Sequence, residues 1–90
     1  MFFFKENLIG KNYEWPENKS IAVKTTPGNK LFDPLNGDHI LYMINYFGAS
    51  IGLFSIDEGQ KIEKFISRLP FDVKSEILVF NWLRGQYLYH

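Results

Sequence analysis

Asn12-Tyr13-Glu14-Trp15-Pro16-Glu17-Asn18-Lys19-Ser20-Ile21-Ala22-Val23-Lys24-Thr25 is the stretch on which the fold class turns. Ile21, Val23 and Thr25 fall on one face of an extended chain, with Ser20, Ala22 and Lys24 on the other, the period of a half-buried strand. Asn12 to Trp15 reads as a first short strand, and Pro16-Glu17-Asn18-Lys19 suits the loop of a hairpin between the two. Thr26-Pro27-Gly28-Asn29 then fits a type II turn, with proline at its second position and glycine at its third. Pro34 and Asn36-Gly37 add further turn chemistry, so residues 1–35 are expected to be β-rich and loop-like.

Beyond Asn36 the pattern turns helical. Asp38 is a candidate N-cap for a helix from about His39 to Ile51, with Gly52 able to close it in the left-handed conformation. Ser55-Ile56-Asp57-Glu58 has the spacing of a capping box, and Ile62, Phe65, Ile66 and Leu69 follow at i, i+3, i+4 and i+7. Acidic residues lead this helix and Lys64 and Arg68 trail it, matching the helix dipole, before Pro70 stops it. Asp72 is a candidate cap for a third helix to about Arg84, closed by Gly85. There Val73, Ile77 and Phe80 share one side, and Leu78 and Trp82 project on another. A hairpin of Ile77–Leu83 and Gln86–Tyr89 around Arg84-Gly85 is the alternative, because short apolar runs are ambiguous by periodicity. The expected fold is α+β: an N-terminal β-hairpin packed on a C-terminal three-helix unit, in one small domain spanning 1–90.

Size and charge narrow the function classes. A chain of 90 residues and 10.6 kDa buries about 64% of its extended surface, enough for one core and no second domain. Without cysteine, it has no disulfide framework, thiolate metal site or cysteine nucleophile. Ten Lys+Arg balance ten Asp+Glu, five of each in either half, which counts against nucleic-acid binding in general. The uncharged run from His39 to Ile56 falls short of a membrane span and has acidic flanks, so it is expected to be a buried core helix. Met1-Phe2-Phe3-Phe4-Lys5-Glu6 lacks the basic start and long apolar stretch of a secretory signal. A cytoplasmic location is therefore expected, and the Asn18-Lys19-Ser20 sequon should carry no glycan.

No catalytic constellation is visible. Gly48-Ala49-Ser50-Ile51-Gly52 resembles the nucleophile elbow of α/β-hydrolases. That turn requires a preceding strand, a following helix, and a downstream acid and histidine; close packing of small residues on a buried helix accounts for it better. Leu69-Pro70 followed by Val73, Ile77, Leu78 and Leu83 loosely resembles the opening of an F-box, but any loop-to-helix entry gives the same pattern. His39 is the only internal histidine, too few ligands for a metal site. Neither a Walker A loop nor a Rossmann fingerprint occurs. No catalytic residue, metal or cofactor is expected, and the protein is read as a non-enzyme.

Nine Phe, five Tyr and two Trp make 18% of the chain, more apolar area than so small a domain hides. The bias toward Ile, Lys, Asn, Phe and Tyr also suits an AT-rich genome. A protein-binding module is expected, acting by surface occlusion as a stoichiometric inhibitor or adaptor of phage or mobile-element type, with self-association, as a homodimer, the other use of the same surface. Trp82, Leu78, Tyr87 and Tyr89 are its candidate contact residues. The alternative is a single-stranded nucleic-acid binder, stacking bases on Tyr13 and Trp15 beside Lys19, Lys24 and Lys30.

Overall fold

The computed structural model describes residues 3–15, 27–52 and 55–88. Its elements are a short 3-10 turn at Lys5–Asn7 and three helices, α1 Gly37–Ile51, α2 Ile56–Ile66 and α3 Glu76–Leu88. Each helix packs against the other two, and the 3-10 turn rests on α2.

The α+β expectation is overturned. The fold is mostly helical, 58%, with no sheet and no β-hairpin among the described residues. Asn12–Trp15 forms no strand; Glu14 makes a single parallel bridge to Asn36. Its N–H donates to the Leu35 carbonyl at 2.7 Å, and its own carbonyl accepts from Gly37 N–H at 2.8 Å. The Trp15 ring lies directly on the Gly37 Cα, and Tyr13 bonds to a helix side chain. Both rings thus use helical partners in place of cross-strand ones, and an isolated two-stranded ribbon is marginal in water. The second expected strand, Ser20 to Thr25, and its loop lie outside the described residues. Gly28 does not take the positive φ that a type II turn would need.

The helix boundaries follow local capping chemistry. The N-cap of α1 is Asn36, not Asp38: its Oδ1 accepts from Asp38 N–H at 2.9 Å and His39 N–H at 3.3 Å. Asn36, read from the sequence only as turn chemistry, caps the helix because its backbone is extended, whereas Asp38 already lies within the first turn. Gly52 closes α1 at φ 75°, as expected. Ser55 caps α2 by accepting from Glu58 N–H at 3.1 Å, also as expected.

The start of α3 lies at Glu76, not after Asp72. Ser75 Oγ accepts from Leu78 N–H at 3.3 Å. The carbonyls of Lys30 and Gly28 accept from the Glu76 and Ile77 N–H groups at 2.9 and 3.0 Å. A neighbouring loop therefore satisfies the first-turn donors that Asp72 was expected to serve. Gly85 is interior to α3 rather than its terminator, and the hairpin alternative for 77–88 is excluded.

The core comprises Ile40, Leu41, Met43, Ile44 and Phe47 of α1, Ile62 and Ile66 of α2, and Val79 and Leu83 of α3, closed by Phe3, Leu8 and Phe32. Phe65 and Leu69 are only partly buried against it. The inward line of α3 is Val79–Leu83, an i, i+4 pair, rather than Val73, Ile77 and Phe80.

Candidate interaction surface

Apolar side chains surround α3, so its inward pair leaves two apolar flanks. At 100° per residue, Leu78 and Trp82 fall on one flank and Phe80 and Tyr87 on the other. Trp82 is partly buried against the core, and Leu78 is 51% exposed. An antiparallel bridge sets Leu31 opposite Ser75, one turn before Leu78. There Phe32 N–H donates to the Lys74 carbonyl at 2.6 Å. Leu31 is 67% exposed, and Phe71, just ahead of the helix, is 86% exposed with Lys74 Nζ 5.8 Å from its ring centroid. The bridge thus brings the loop carrying Leu31, a residue the sequence did not single out, to the start of the helix that bears Leu78 and Trp82. Only the loop-to-helix bridge reveals it.

Tyr87 has a different setting. Its ring meets Phe47 and Phe65 edge-on, with centroids 5.6 and 5.7 Å away. Its hydroxyl donates to Glu58, and Lys61 Nζ lies 5.0 Å from the ring. Burial, reinforced by the Glu58 hydrogen bond and charge, pushes this phenol well above its ordinary range. Tyr87 therefore ties α3 to α1 and α2 and is not grouped with Leu78 and Trp82. Tyr89 lies outside the described residues.

The residues proposed for base stacking are engaged internally. Tyr13 OH donates to Glu63 Oε2 at 2.6 Å; desolvation, then this hydrogen bond and the Glu63 charge, push its phenol up as well. Trp15 packs on Gly37, and Lys5 Nζ stands 4.4 Å from its ring centroid. Lys30 is exposed and contributes its carbonyl to α3. Lys19 and Lys24 lie outside the described residues.

Three polar side chains that sequence reasoning missed organise the N-terminal arm. Glu63, 4% exposed, accepts from Ile9 N–H at 2.8 Å and Gly10 N–H at 2.9 Å besides Tyr13. Three donors on one carboxylate offset much of the cost of burying it. Asn45, also buried, brackets the Phe3 backbone, and Gln60 Nε2 donates to the Asn7 carbonyl at 2.9 Å. An Asn and a Glu within otherwise apolar helix faces were the available signal.

Other chemistry-bearing residues are accounted for locally. His39 Nδ1 accepts from Asp33 N–H at 2.9 Å. Ser50 of the Gly-x-Ser-x-Gly match sits in the last turn of α1 and donates to the Phe47 carbonyl at 2.7 Å, in a helix and not an elbow. Asp38, in the first turn of α1 where the dipole favours a negative charge, has both carboxylate oxygens buried without a hydrogen-bond partner. Among the described residues no group of three or more His, Cys, Asp or Glu could hold a metal ion. Nor is any helix among them long and apolar enough to cross a membrane.

No family model matches the chain, and neither a curated protein nor a solved structure is significantly similar to it.

Proposed function

We propose that this chain is a small, non-enzymatic protein-binding module that contacts its partner through the Leu78–Trp82 flank of α3. The observation that carries the reading is the pairing of the α3 start with the loop that bears exposed Leu31. Leu31 is fixed opposite Ser75 by backbone hydrogen bonds, one turn from Leu78, so two exposed leucines lie on adjoining segments of one helix–loop junction. Tryptophan at the edge of such a patch is a frequent binding anchor. Action in the cytoplasm as an occluding inhibitor or adaptor, of the kind phage and mobile elements encode, is part of the proposal and rests on size and composition. The nucleic-acid alternative draws less support, since Tyr13 and Trp15 spend their polar and ring surfaces within the fold.

The test is affinity capture with the wild type and Leu78→Asp, followed by measured affinity for each recovered partner and light scattering for self-association. The expected result is a loss of about 2 kcal/mol or more in binding, at an unchanged melting temperature. A folded Leu78→Asp protein that binds every partner as the wild type does would overturn the proposal. So would a wild type that is monomeric and recovers no partner.

A further inference from the structure

On the other flank of α3, its last turns and those of α1 enclose a cleft of about 570 Å³. Phe47, Ile51, Phe80 and the ring of Tyr87 line it with carbon, a size and lining that fall within the range of small-molecule sites. Leu88, also on the lining, is left 66% exposed. Its polar groups are few and differ in availability. The Tyr87 hydroxyl is committed to Glu58, and the Ser50 hydroxyl proton to the Phe47 carbonyl. Arg84 alone remains a charged donor there, and no carboxylate pairs with it among the described residues.

We propose that this cleft binds an amphipathic carboxylate, its aliphatic or aromatic body lying among the rings of Phe80 and Tyr87 and its carboxylate on the Arg84 guanidinium. A planar guanidinium matches a carboxylate in charge and in its two-toothed hydrogen-bond geometry. Arg84 is exposed, so it is this two-toothed geometry, rather than a low local dielectric, that favours a carboxylate over a neutral head group. The site is independent of the Leu78–Trp82 flank, and the two are tested separately.

The experiment is calorimetric titration of the full chain with decanoate below its micelle-forming concentration, with decanol and decyltrimethylammonium as neutral and cationic comparators. Saturable binding of one decanoate per chain is expected, at least tenfold tighter than decanol. Arg84→Gln should lower decanoate affinity tenfold or more and leave decanol unchanged, and Arg84→Lys should restore part of the loss. Ser50→Phe, which fills the cleft from α1, should abolish decanoate binding in a chain that melts normally. Leu78→Asp should leave it intact. Equal affinity for decanoate and decanol would overturn the proposal, as would an unaffected Arg84→Gln or the absence of saturable binding. A preference for the cation would also overturn it, showing that the helix C-termini and not Arg84 set the field.

Discussion

Asn45, in the middle of α1, hydrogen-bonds both backbone polar groups of Phe3: its Oδ1 accepts from Phe3 N–H at 2.7 Å, and its Nδ2 donates to the Phe3 carbonyl at 2.9 Å. The same Nδ2 also reaches the Leu41 carbonyl at 2.9 Å. One amide side chain thus plays the part of a neighbouring strand for an arm forty-two residues away in sequence. Asn45→Ala would leave buried backbone groups without partners, at a cost of about 1–3 kcal/mol. Asn45→Asp should cost more, because a carboxylate faces the Phe3 carbonyl where a donor stood. Chemical denaturation checks both. An unchanged midpoint for Asn45→Ala would show that the arm contributes nothing to stability.

Two helical glycines should respond oppositely to the same substitution. A Cβ at Gly85 meets open space, so Gly85→Ala should stabilise α3 by about 0.5–1 kcal/mol through helix propensity. A Cβ at Gly59 would overlap the Phe3 ring, so Gly59→Ala should destabilise despite the same gain in propensity. Thermal melts of the two variants, compared with the wild type, decide the contrast.

Stability should fall at alkaline pH. The phenols of Tyr13 and Tyr87 are both held protonated beyond their ordinary value of 10.0, mainly by burial and then by Glu63 and Glu58. The unfolded chain releases these protons from about pH 10 while the native chain retains them. The native state therefore binds more protons above that pH, and each phenol's contribution is complete below it and declines as pH rises past it. Denaturation midpoints should show no tyrosine-linked slope below about pH 10 and a downward slope above it. Tyr13→Phe and Tyr87→Phe should each make that slope shallower.

The phase of α3 is tested by a pair of leucines. Leu83 is fully buried and Leu78 half exposed, so Leu83→Ala should cost about 2–5 kcal/mol as a core truncation. Leu78→Ala should stay within about 0.5 kcal/mol, as surface changes do. Comparable losses at both positions would place Leu78 in the core and remove the basis for its role in binding.

Glu63→Gln probes the buried carboxylate. Glutamine keeps one acceptor oxygen for three donors, so the loss should be about 1–3 kcal/mol. Faster amide exchange should accompany it at Ile9 and Gly10, whose N–H groups point at Glu63. Protection at both amides equal to that of the wild type would show that the carboxylate does not hold the arm.

By itself the sequence determined what depends on neighbours within a turn or two. Ser55 and Gly52 bound helices because their hydrogen bonds and backbone angles are local, and the Ile62–Ile66 spacing marked the buried side of α2. It did not determine the cap of α3, whose donors go to carbonyls at Gly28 and Lys30, or its inward face, because apolar residues all round the helix leave the choice to its neighbours. Nor did it determine the shape of the N-terminal arm. Tyr13 and Trp15 have strand-forming preferences, yet Glu63 and Gly37 hold them on helices instead. The Leu31–Leu78 junction and the Arg84 cleft likewise arise where distant segments meet, and only tertiary packing decides which apolar groups are left facing outward.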